Sequence, residues 1–137
     1  MDKALNYLSL ARKGGMAELG EEPVGAIPRT RKGYLVIVSS DASDHTWRRA
    51  KSFVAGTNQQ CLQVPYTKDE LGFIIGRKEL AIAALTDPAL AASFVKALPQ
   101  TEKTVAVLEV LEDKIRRAKQ RQKEAKAHQR NVRMGKK

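Results

Sequence analysis

The residue types of a hydrolytic triad occur together in one short segment of the chain. Ser40, Asp41, Ser43, Asp44 and His45 lie within six positions of one another. The side chains of a catalytic triad, however, come from distant segments that the fold brings together. These residues also follow a predicted strand and precede a predicted helix, a place where Ser and Asp commonly cap the helix. We therefore predict capping, and not catalysis, for this segment.

Metal and thiol chemistry have equally little support in the sequence. The chain has one cysteine, Cys61, and two widely separated histidines, His45 and His128, which are too few for a zinc site of the usual kind. Cys61 lies in an apolar segment and is predicted to be a small buried hydrophobe. Thr67 and Glu70 have the spacing of a helix capping box. The sequence thus predicts a protein that is not an enzyme and uses no metal or cofactor.

The net charge is concentrated at the C-terminal end of the chain. Between Lys114 and Lys137 there are 11 basic residues and one acidic residue, Glu124, so this segment carries the whole net charge of +10 and residues 1–113 carry none. A cationic segment on a neutral globular part indicates an anionic partner. Neutralising about six to ten phosphates would give binding without sequence preference that weakens steeply with salt. The open alternative is a solubilising extension without a specific partner.

Length and composition fit one domain with an extension. The 137 residues, of which 42% are hydrophobic, can bury a single core. One cysteine excludes an internal disulfide and is typical of a reducing compartment. No run approaches the roughly 18 apolar residues of a membrane span, and the first residues lack the pattern of a signal peptide. We expect a cytoplasmic protein without a membrane partner.

Strand and helix signals alternate along residues 1–100. Residues 34–38, 61–64 and 80–85 are predicted strands, and residues 16–19 are a possible further short strand. Predicted helices begin after Asp2 and Gly20, span residues 43–56, run from Thr67 to Gly76, and follow a cap at Thr86 or Asp87. This alternation predicts an α/β fold, a three-layer α/β/α sandwich with a short mixed sheet.

Residues 101–137 form a predicted extension beyond a domain of residues 1–100. Val105, Leu108, Leu111 and Ile115 recur at helical spacing, so residues 102–115 can pack on the domain or on a partner. Residues 116–137 have no such apolar stripe. They are predicted to be a basic tail that is either a solvated helix or disordered.

A single tryptophan, Trp47, lies on the predicted helix of residues 43–56. An aromatic ring at the surface can stack on a nucleic-acid base. One aromatic residue on an amphipathic helix is, however, more often part of the core or its rim, and the sequence leaves both interpretations open.

Four segments, in this order, resemble one protein family. They are residues 8–15 (LSLARKGG), 20–22 (GEE), 36–43 (VIVSSDAS) and 64–72 (VPYTKDELG), and a strand segment at 76–85 follows them. Their order and spacing are similar to those of bacterial members of the L-seven-Ae ribosomal-protein family, whose members typically bind kink-turn RNA. The resemblance covers residues 3–98 and leaves out the tail. It implies an α/β/α sandwich, as the alternation of elements also does.

The resemblance implies an RNA site made of two parts. The first part lies at the start of the second helix and meets the sheared G·A pairs of the kink; it corresponds to Gly20, Glu21, Glu22 and Gly25. The second part is a loop that covers the flipped-out bulge; it corresponds to Arg77, Lys78, Glu79 and Leu80. A carboxylate can accept hydrogen bonds from guanine, and apolar loop residues can shield a splayed base.

Two positions depart from the family pattern. Glu21 stands where Asn is usual, and Gly25 stands where Lys is usual. Each change is expected to weaken recognition by about 1–3 kcal/mol, the worth of one good bidentate contact. Arg29, Arg31 and Lys32 follow this helix and are candidates to supply part of the missing charge.

The sequence as a whole predicts a non-enzymatic RNA-binding protein that is associated with the ribosome or recognises a structured RNA of the kink-turn type. Ribosomal or transcription–translation proteins are its expected neighbours. The domain would select a bent RNA, and the tail would add phosphate affinity, so that the two parts act as one binding unit. The tail residues concerned are Arg116, Arg117, Lys119, Arg121 and Lys123. The alternative is a protein-interaction scaffold of the same fold, with weak or no specific RNA binding.

Overall fold

A computed structural model describes residues 2–31 and 34–134, with side chains described as far as Gln129. The chain forms six helices and four strands over these residues. Helices and strands alternate up to Lys96, and a long helix then completes the described chain. The elements are α1 (Lys3–Lys13), β1 (Ala17–Leu19), α2 (Glu21–Gly25), β2 (Leu35–Val38), α3 (Asp44–Val54), β3 (Gln60–Gln63), α4 (Lys68–Ile74), β4 (Ile82–Leu85), α5 (Pro88–Lys96) and α6 (Glu102–Met134).

The four strands form one mixed sheet in the order β1-β4-β2-β3. Strands β2 and β3 are parallel and are joined by α3, whereas β4 is antiparallel to both of its neighbours. The sheet thus contains a single βαβ unit and is mixed, as predicted. The parallel pair defines two ends of the sheet. We call the end at which β2 and β3 terminate the carboxyl end, and the end at which they begin the amino end.

Helices cover both faces of the sheet, which confirms the predicted α/β sandwich. Leu35 and Ile37 of β2 pack in one core with α1, α4, α5 and the first part of α6. Val36 and Val38 point to the other face and pack with α2 and α3. All four residues are fully buried because the strand has a helical layer on each side, as its continuous apolar sequence predicted.

Most helix starts lie where the capping residues predicted them. Asp2 accepts a hydrogen bond from the backbone N–H of Ala4 at 2.8 Å, and Asp87, not Thr86, caps α5. The capping box of α4 is complete: Thr67 Oγ1 accepts from the N–H of Glu70 at 3.1 Å, and Glu70 Oε1 accepts from the N–H of Thr67 at 2.9 Å. These local signals were sufficient because each involves residues within one helical turn.

Several element boundaries differ from the sequence prediction. Strand β4 begins at Ile82 and not at Leu80, because the N–H of Leu80 donates to the carbonyl of Lys68 at 2.9 Å and is not available to a strand. Helix α4 ends at Ile74, just before Gly76, whose φ of +76° is incompatible with helix. Strand β3 is shifted by one residue toward the N-terminus.

Helix α6 continues without interruption through the part of the tail that the structure describes. Its first half packs on α5 and β3: Val107 and Leu111 are buried, and Leu108 and Ile115 are partly buried against the same core. Of the apolar stripe predicted to pack on the domain or on a partner, Leu108, Leu111 and Ile115 therefore pack on the domain, whereas Val105 is 46% exposed. From residue 119 to residue 129 every position is exposed, as expected for a solvated helix.

Candidate nucleic-acid interface

The two segments that the family resemblance implicated lie side by side at the carboxyl end of the sheet. Strand β1 ends at this end, because Leu19 pairs with Ala83 of β4, and the N–H of Gly20 donates to the carbonyl of Ile82 at 2.9 Å. Arg77 reaches the same place from the α4–β4 loop. Its Nη1 lies 3.5 Å from the carbonyl oxygen of Leu19. A guanidinium group thus stands beside the start of α2.

The start of α2 requires the glycine that precedes it. Gly20 has a φ of +98°, a conformation that residues with a Cβ rarely adopt. A Cβ added at this position would lie 3.9 Å from Arg77 Nη1, which shows how closely the loop approaches. Glu22 follows in the first turn and is exposed. The first turn of α2 thus carries an exposed acidic residue, and Arg77 brings a positive charge to the glycine that precedes it.

The position of Arg77 depends on the close packing of its loop against α4. A Cβ at Gly72 would lie 2.5 Å from Glu79 Cα and 2.7 Å from its backbone nitrogen, so only glycine allows this approach. The N–H of Arg77 donates to the carbonyl of Gly72 at 2.8 Å. Arg77, Lys78 and Glu79 are exposed on this loop. Leu80 is only 3% exposed and lies in the core, so its side chain does not offer the apolar cover for a base that we expected.

Glu21 has basic neighbours on α3. Its Oε1 is 2.7 Å from Arg49 Nε and 4.0 Å from His45 Nε2. The Arg49 and Glu21 side chains are 49% and 37% exposed, so the ion pair is screened by solvent and contributes less than about 1 kcal/mol to stability. The negative charge at this position is nevertheless balanced locally, and a cation from α3 stands next to the α2 surface.

Arg49 was not among the predicted site residues, although its spacing on α3 carries a signal. His45, Arg49 and Phe53 follow one another at intervals of four and therefore share one face of α3. The Arg49 guanidinium carbon lies 5.0 Å from the centre of the Phe53 ring, a cation–π arrangement. Arg49 is thus held between a carboxylate and an aromatic ring.

Close contact between α2 and α3 explains the glycine at position 25. A Cβ at Gly25 would lie 3.0 Å from both Cε1 and Cζ of Phe53. A lysine at this position would have to displace that ring, on which Arg49 also lies. The lysine that is usual at this position in the family that the chain resembles is absent here, and Arg49 of α3 places a cation on this surface.

Arg29 and Arg31 lie at the amino end of the sheet and not beside the start of α2. The Arg29 guanidinium donates to the carbonyl of Ala55, just after α3. The carbonyl of Arg31 accepts from Gln59 Nε2 at 2.7 Å, immediately before β3. Neither arginine therefore supplies charge to the Gly20–Arg77 surface. Lys32, the third candidate, lies outside the described residues.

Buried Gln59 joins this basic loop to α6. Its Oε1 accepts from the N–H of Tyr34 at 2.8 Å and from Lys114 Nζ at 3.1 Å. Lys114 Nζ also donates to the carbonyl of Asn58 at 2.8 Å, and burial lowers the pKa of its ammonium group. The basic tail consequently starts at the amino end of the sheet, next to Arg29 and Arg31.

The tail residues beyond this anchor are accessible. Arg116 and Arg117 form exposed ion pairs with Asp113, at 3.2 and 3.0 Å. Such pairs three or four positions apart on a helix are weak and give way readily to a phosphate. The following basic side chains, Lys119, Arg121 and Lys123, are exposed. They extend along the helix away from the sheet.

The segment with triad-like residue types has capping roles. Ser43 Oγ accepts from the N–H of Thr46 at 3.2 Å at the start of α3. Asp41 Oδ1 accepts from the N–H of Lys68 at 2.9 Å, and this hydrogen bond lowers the pKa of the carboxyl group. Burial raises the pKa of the Cys61 thiol to about 11.

The described part of the chain has neither a metal-binding cluster nor a membrane-spanning helix. Within it, no group of three or more His, Cys, Asp or Glu side chains could hold a metal ion. None of the helices described is both long and apolar enough to cross a membrane.

Comparison with known proteins identifies a similar fold but no function. No protein-family model matches the chain, and no curated protein matches it. Among solved structures, the chain is similar to a protein with unknown function from Bacillus halodurans C. The two are 26% identical, with a TM-score of 0.63 over 71% of this chain and 97% of the other. More than a quarter of this chain thus has no counterpart in that structure. Because that protein has no known function, the interpretation of the candidate site depends on the residues of this chain.

Proposed function

We propose that this protein is a non-enzymatic RNA-binding protein that recognises a structured RNA of the kink-turn type. The observation that carries this proposal is the meeting of Arg77 with the start of α2, where Nη1 lies 3.5 Å from the carbonyl of Leu19. Two segments that are 58 residues apart in the chain, and that the family resemblance implicated independently, are adjacent in space. The protein would act in the cytoplasm, near ribosomes.

The carboxyl end of the sheet would select the shape of the RNA. Arg77 and Lys78 offer cations to the backbone, and the carboxylate of Glu22 can accept from the exocyclic amine of guanine at a sheared pair. Arg49 adds a cation close to Glu21, at 2.7 Å, where it can release the carboxylate and contact a phosphate. This surface has charges of both signs, which favours recognition of base edges over simple attraction to phosphate.

The amino end would supply affinity without sequence preference. Arg29, Arg31 and the basic residues of α6 lie at this end, and the tail contributes the entire net charge of the chain. Phosphate contacts by such a cluster release counterions, so the affinity they add decreases steeply with salt.

The separation of the two surfaces determines what RNA can reach both. Four residues of strand, about 13 Å, lie between the two ends of the sheet. Along α6, Lys119 of the tail, at the amino end, is about 24 Å from Lys103, which lies near the start of the helix at the carboxyl end. A small kink alone would contact only the carboxyl end. The proposal therefore requires a bent element with a flanking stem that runs toward the amino end.

A second candidate function is a protein-interaction scaffold. The stripe of residues 105–115, which the sequence offered as a partner surface, is largely covered by the domain through Val107 and Leu111. A different apolar group favours this candidate: the Phe73 side chain on α4 is 80% exposed, beside Leu5 and Ile74.

Binding of two RNAs to the full-length protein tests the proposal. One RNA contains a kink-turn and the other is a straight duplex of the same length, each measured at two salt concentrations. We expect the kinked RNA to bind more tightly, and Arg77→Ala to remove that preference. A tail variant in which Lys119, Arg121 and Lys123 are replaced by Gln should weaken both RNAs alike. It should also reduce the slope of log affinity against log salt by about 2–3.

Lys13→Ala is the matched control, because Lys13 is an exposed lysine at the end of α1, at the amino end of the sheet and outside both proposed contacts. It should leave the preference for the kinked RNA unchanged. Equal affinity for kinked and straight RNA in the intact chain contradicts shape selection. Absence of RNA affinity at low salt contradicts RNA binding altogether and leaves the scaffold candidate.

A further inference from the structure

A cavity of about 400 Å³ opens at the carboxyl end of the sheet, on the side of β3. It lies between α3, the residues that follow β2 and β3, and the connection from α5 to α6. Its size is in the range of pockets that hold small organic groups. The residues that form it include Ser40, Trp47, Val64, Pro65, Leu98 and Thr101.

The only tryptophan of the chain lies in this cavity with two lysines over its ring. Lys103 Nζ is 5.2 Å and Lys51 Nζ is 5.6 Å from the ring centre. Lys103 lines the cavity as well, and none of the described residues lining it is acidic. The cavity thus combines an aromatic face, apolar walls and one lining lysine, and a second lysine lies over the tryptophan ring. A planar group that carries a negative charge complements this combination.

The cavity and the proposed RNA surface lie at the same end of the sheet. Gly20 follows β1 and hydrogen-bonds to Ile82 of β4, Ile82 pairs with Val38 of β2, and Val38 pairs with Gln63 of β3. Gly20 and Val64 therefore occupy the two sides of one sheet end, three strand spacings or about 14 Å apart. A single-stranded segment can cover this distance in a few nucleotides.

We infer that this cavity receives an unpaired nucleotide of the RNA that is bound at the Gly20–Arg77 surface. Its base stacks on Trp47, and the Lys51 and Lys103 ammonium groups move from the ring to the flanking phosphates. Unpaired bases are commonly recognised by stacking on aromatic side chains beside basic groups. The inference depends on the proposed function and specifies it: besides the flipped-out bulge of the kink, the RNA must carry a further unpaired base that reaches the β3 side of this sheet end.

Because Trp47 is the single tryptophan, its fluorescence reports on this cavity alone. The experiment adds three kink-turn RNAs to the full-length protein. Besides the bulge of the kink, the first has one further unpaired nucleotide, the second has an abasic residue at that further position, and the third lacks it. Anisotropy of a dye on the RNA measures overall binding, and tryptophan emission measures stacking in the same sample.

We expect the first RNA to quench Trp47 emission in parallel with binding, and the abasic RNA to bind without quenching. Trp47→Leu should weaken the first RNA by about five- to 100-fold and leave the abasic RNA unchanged. Lys103→Gln keeps the tryptophan and should reduce the salt slope by about 0.7–0.9. Lys13→Ala, at the opposite end of the sheet, should change neither signal.

The outcomes separate the two proposals. RNA binding by anisotropy without any change in tryptophan emission contradicts the cavity inference and leaves the proposed function intact. Equal quenching by the abasic RNA also contradicts it, because the base then makes no contact. No binding by either measurement contradicts both proposals. Circular dichroism shows whether Trp47→Leu is folded. If it is not, the salt slope of Lys103→Gln, which keeps the tryptophan, tests the cavity inference.

Discussion

Replacing Gly72 by alanine should destabilise the protein and disturb the Arg77 loop. The added Cβ would lie 2.5, 2.7 and 2.9 Å from the Cα, nitrogen and carbonyl carbon of Glu79. All three are backbone atoms, so no side-chain rotation relieves the contact. Overpacking of this kind costs about 1–3 kcal/mol, and the better helix propensity of alanine returns less than about 1 kcal/mol. We expect a net loss of about 1–2 kcal/mol in the free energy of unfolding.

Thermal unfolding followed by circular dichroism measures this effect. For a chain of this size, the loss corresponds to a decrease in Tm of about 4–10 °C. The shift of the loop should also reduce the preference for kinked RNA without changing the charge of the protein. The salt slope for straight RNA, which reports on the tail, should stay the same.

Gly14→Ala is the matched control for this prediction. A Cβ at Gly14 would meet Met16 Cε at 2.8 Å, which is the end of a flexible side chain and can move aside. Its φ of −85° suits alanine, so Tm should change by less than about 3 °C. An unchanged Tm in Gly72→Ala would refute the argument that close packing against Glu79 positions the loop. Equal losses in the two variants would refute it as well.

Three other results are expected. Thr67→Ala should lower the free energy of unfolding in urea by about 1 kcal/mol because the N–H of Glu70 loses its acceptor, whereas Thr67→Ser should retain it; equal stabilities of the two variants would contradict a capping role. Burial raises the pKa of Cys61 from 9.0 to about 11, so the native thiol should react with a thiol reagent at pH 8 about 100-fold more slowly than the urea-unfolded thiol; equal reaction rates would contradict burial. The stability that this shift contributes is present below pH 9 and is lost as the pH rises through about 11. Arg77→Ala and the tail variant should change RNA-binding free energies additively, within about 0.5 kcal/mol, since they act at opposite ends of the sheet on the same RNA; a larger coupling would contradict independent contacts by the two surfaces.

Features set by neighbouring residues in the chain could be read from the sequence. The caps at Asp2, Thr67 and Asp87 each involve contacts within one helical turn, and the buried strand at β2 was evident from its continuous apolar residues. Element ends were less accurate where a long-range contact intervened. Leu80 is the example: its N–H donates to Lys68, so β4 starts two residues later than its apolar sequence suggested.

The candidate site was only partly predictable for the same reason. Gly20 and Arg77 came from the family resemblance, and the structure places them together. The role of Arg49 could not be assigned, because it depends on α3 lying across α2 with the Phe53 ring against a glycine. Leu80 was predicted both as the first residue of an apolar strand and as part of the RNA-binding loop, and only the structure shows that its side chain lies in the core.

The sequence by itself determined the partition of charge, a neutral domain and a tail with a net charge of +10, and therefore the sign of the expected partner. The tertiary structure alone decided where those charges lie. The strand order β1-β4-β2-β3 brings Gly20, Arg77 and the Trp47 cavity to one end of the sheet, while α6 carries the tail to the other. Charge is a sum over residues and needs no fold, whereas proximity across strands depends on pairings between segments that are far apart in the chain.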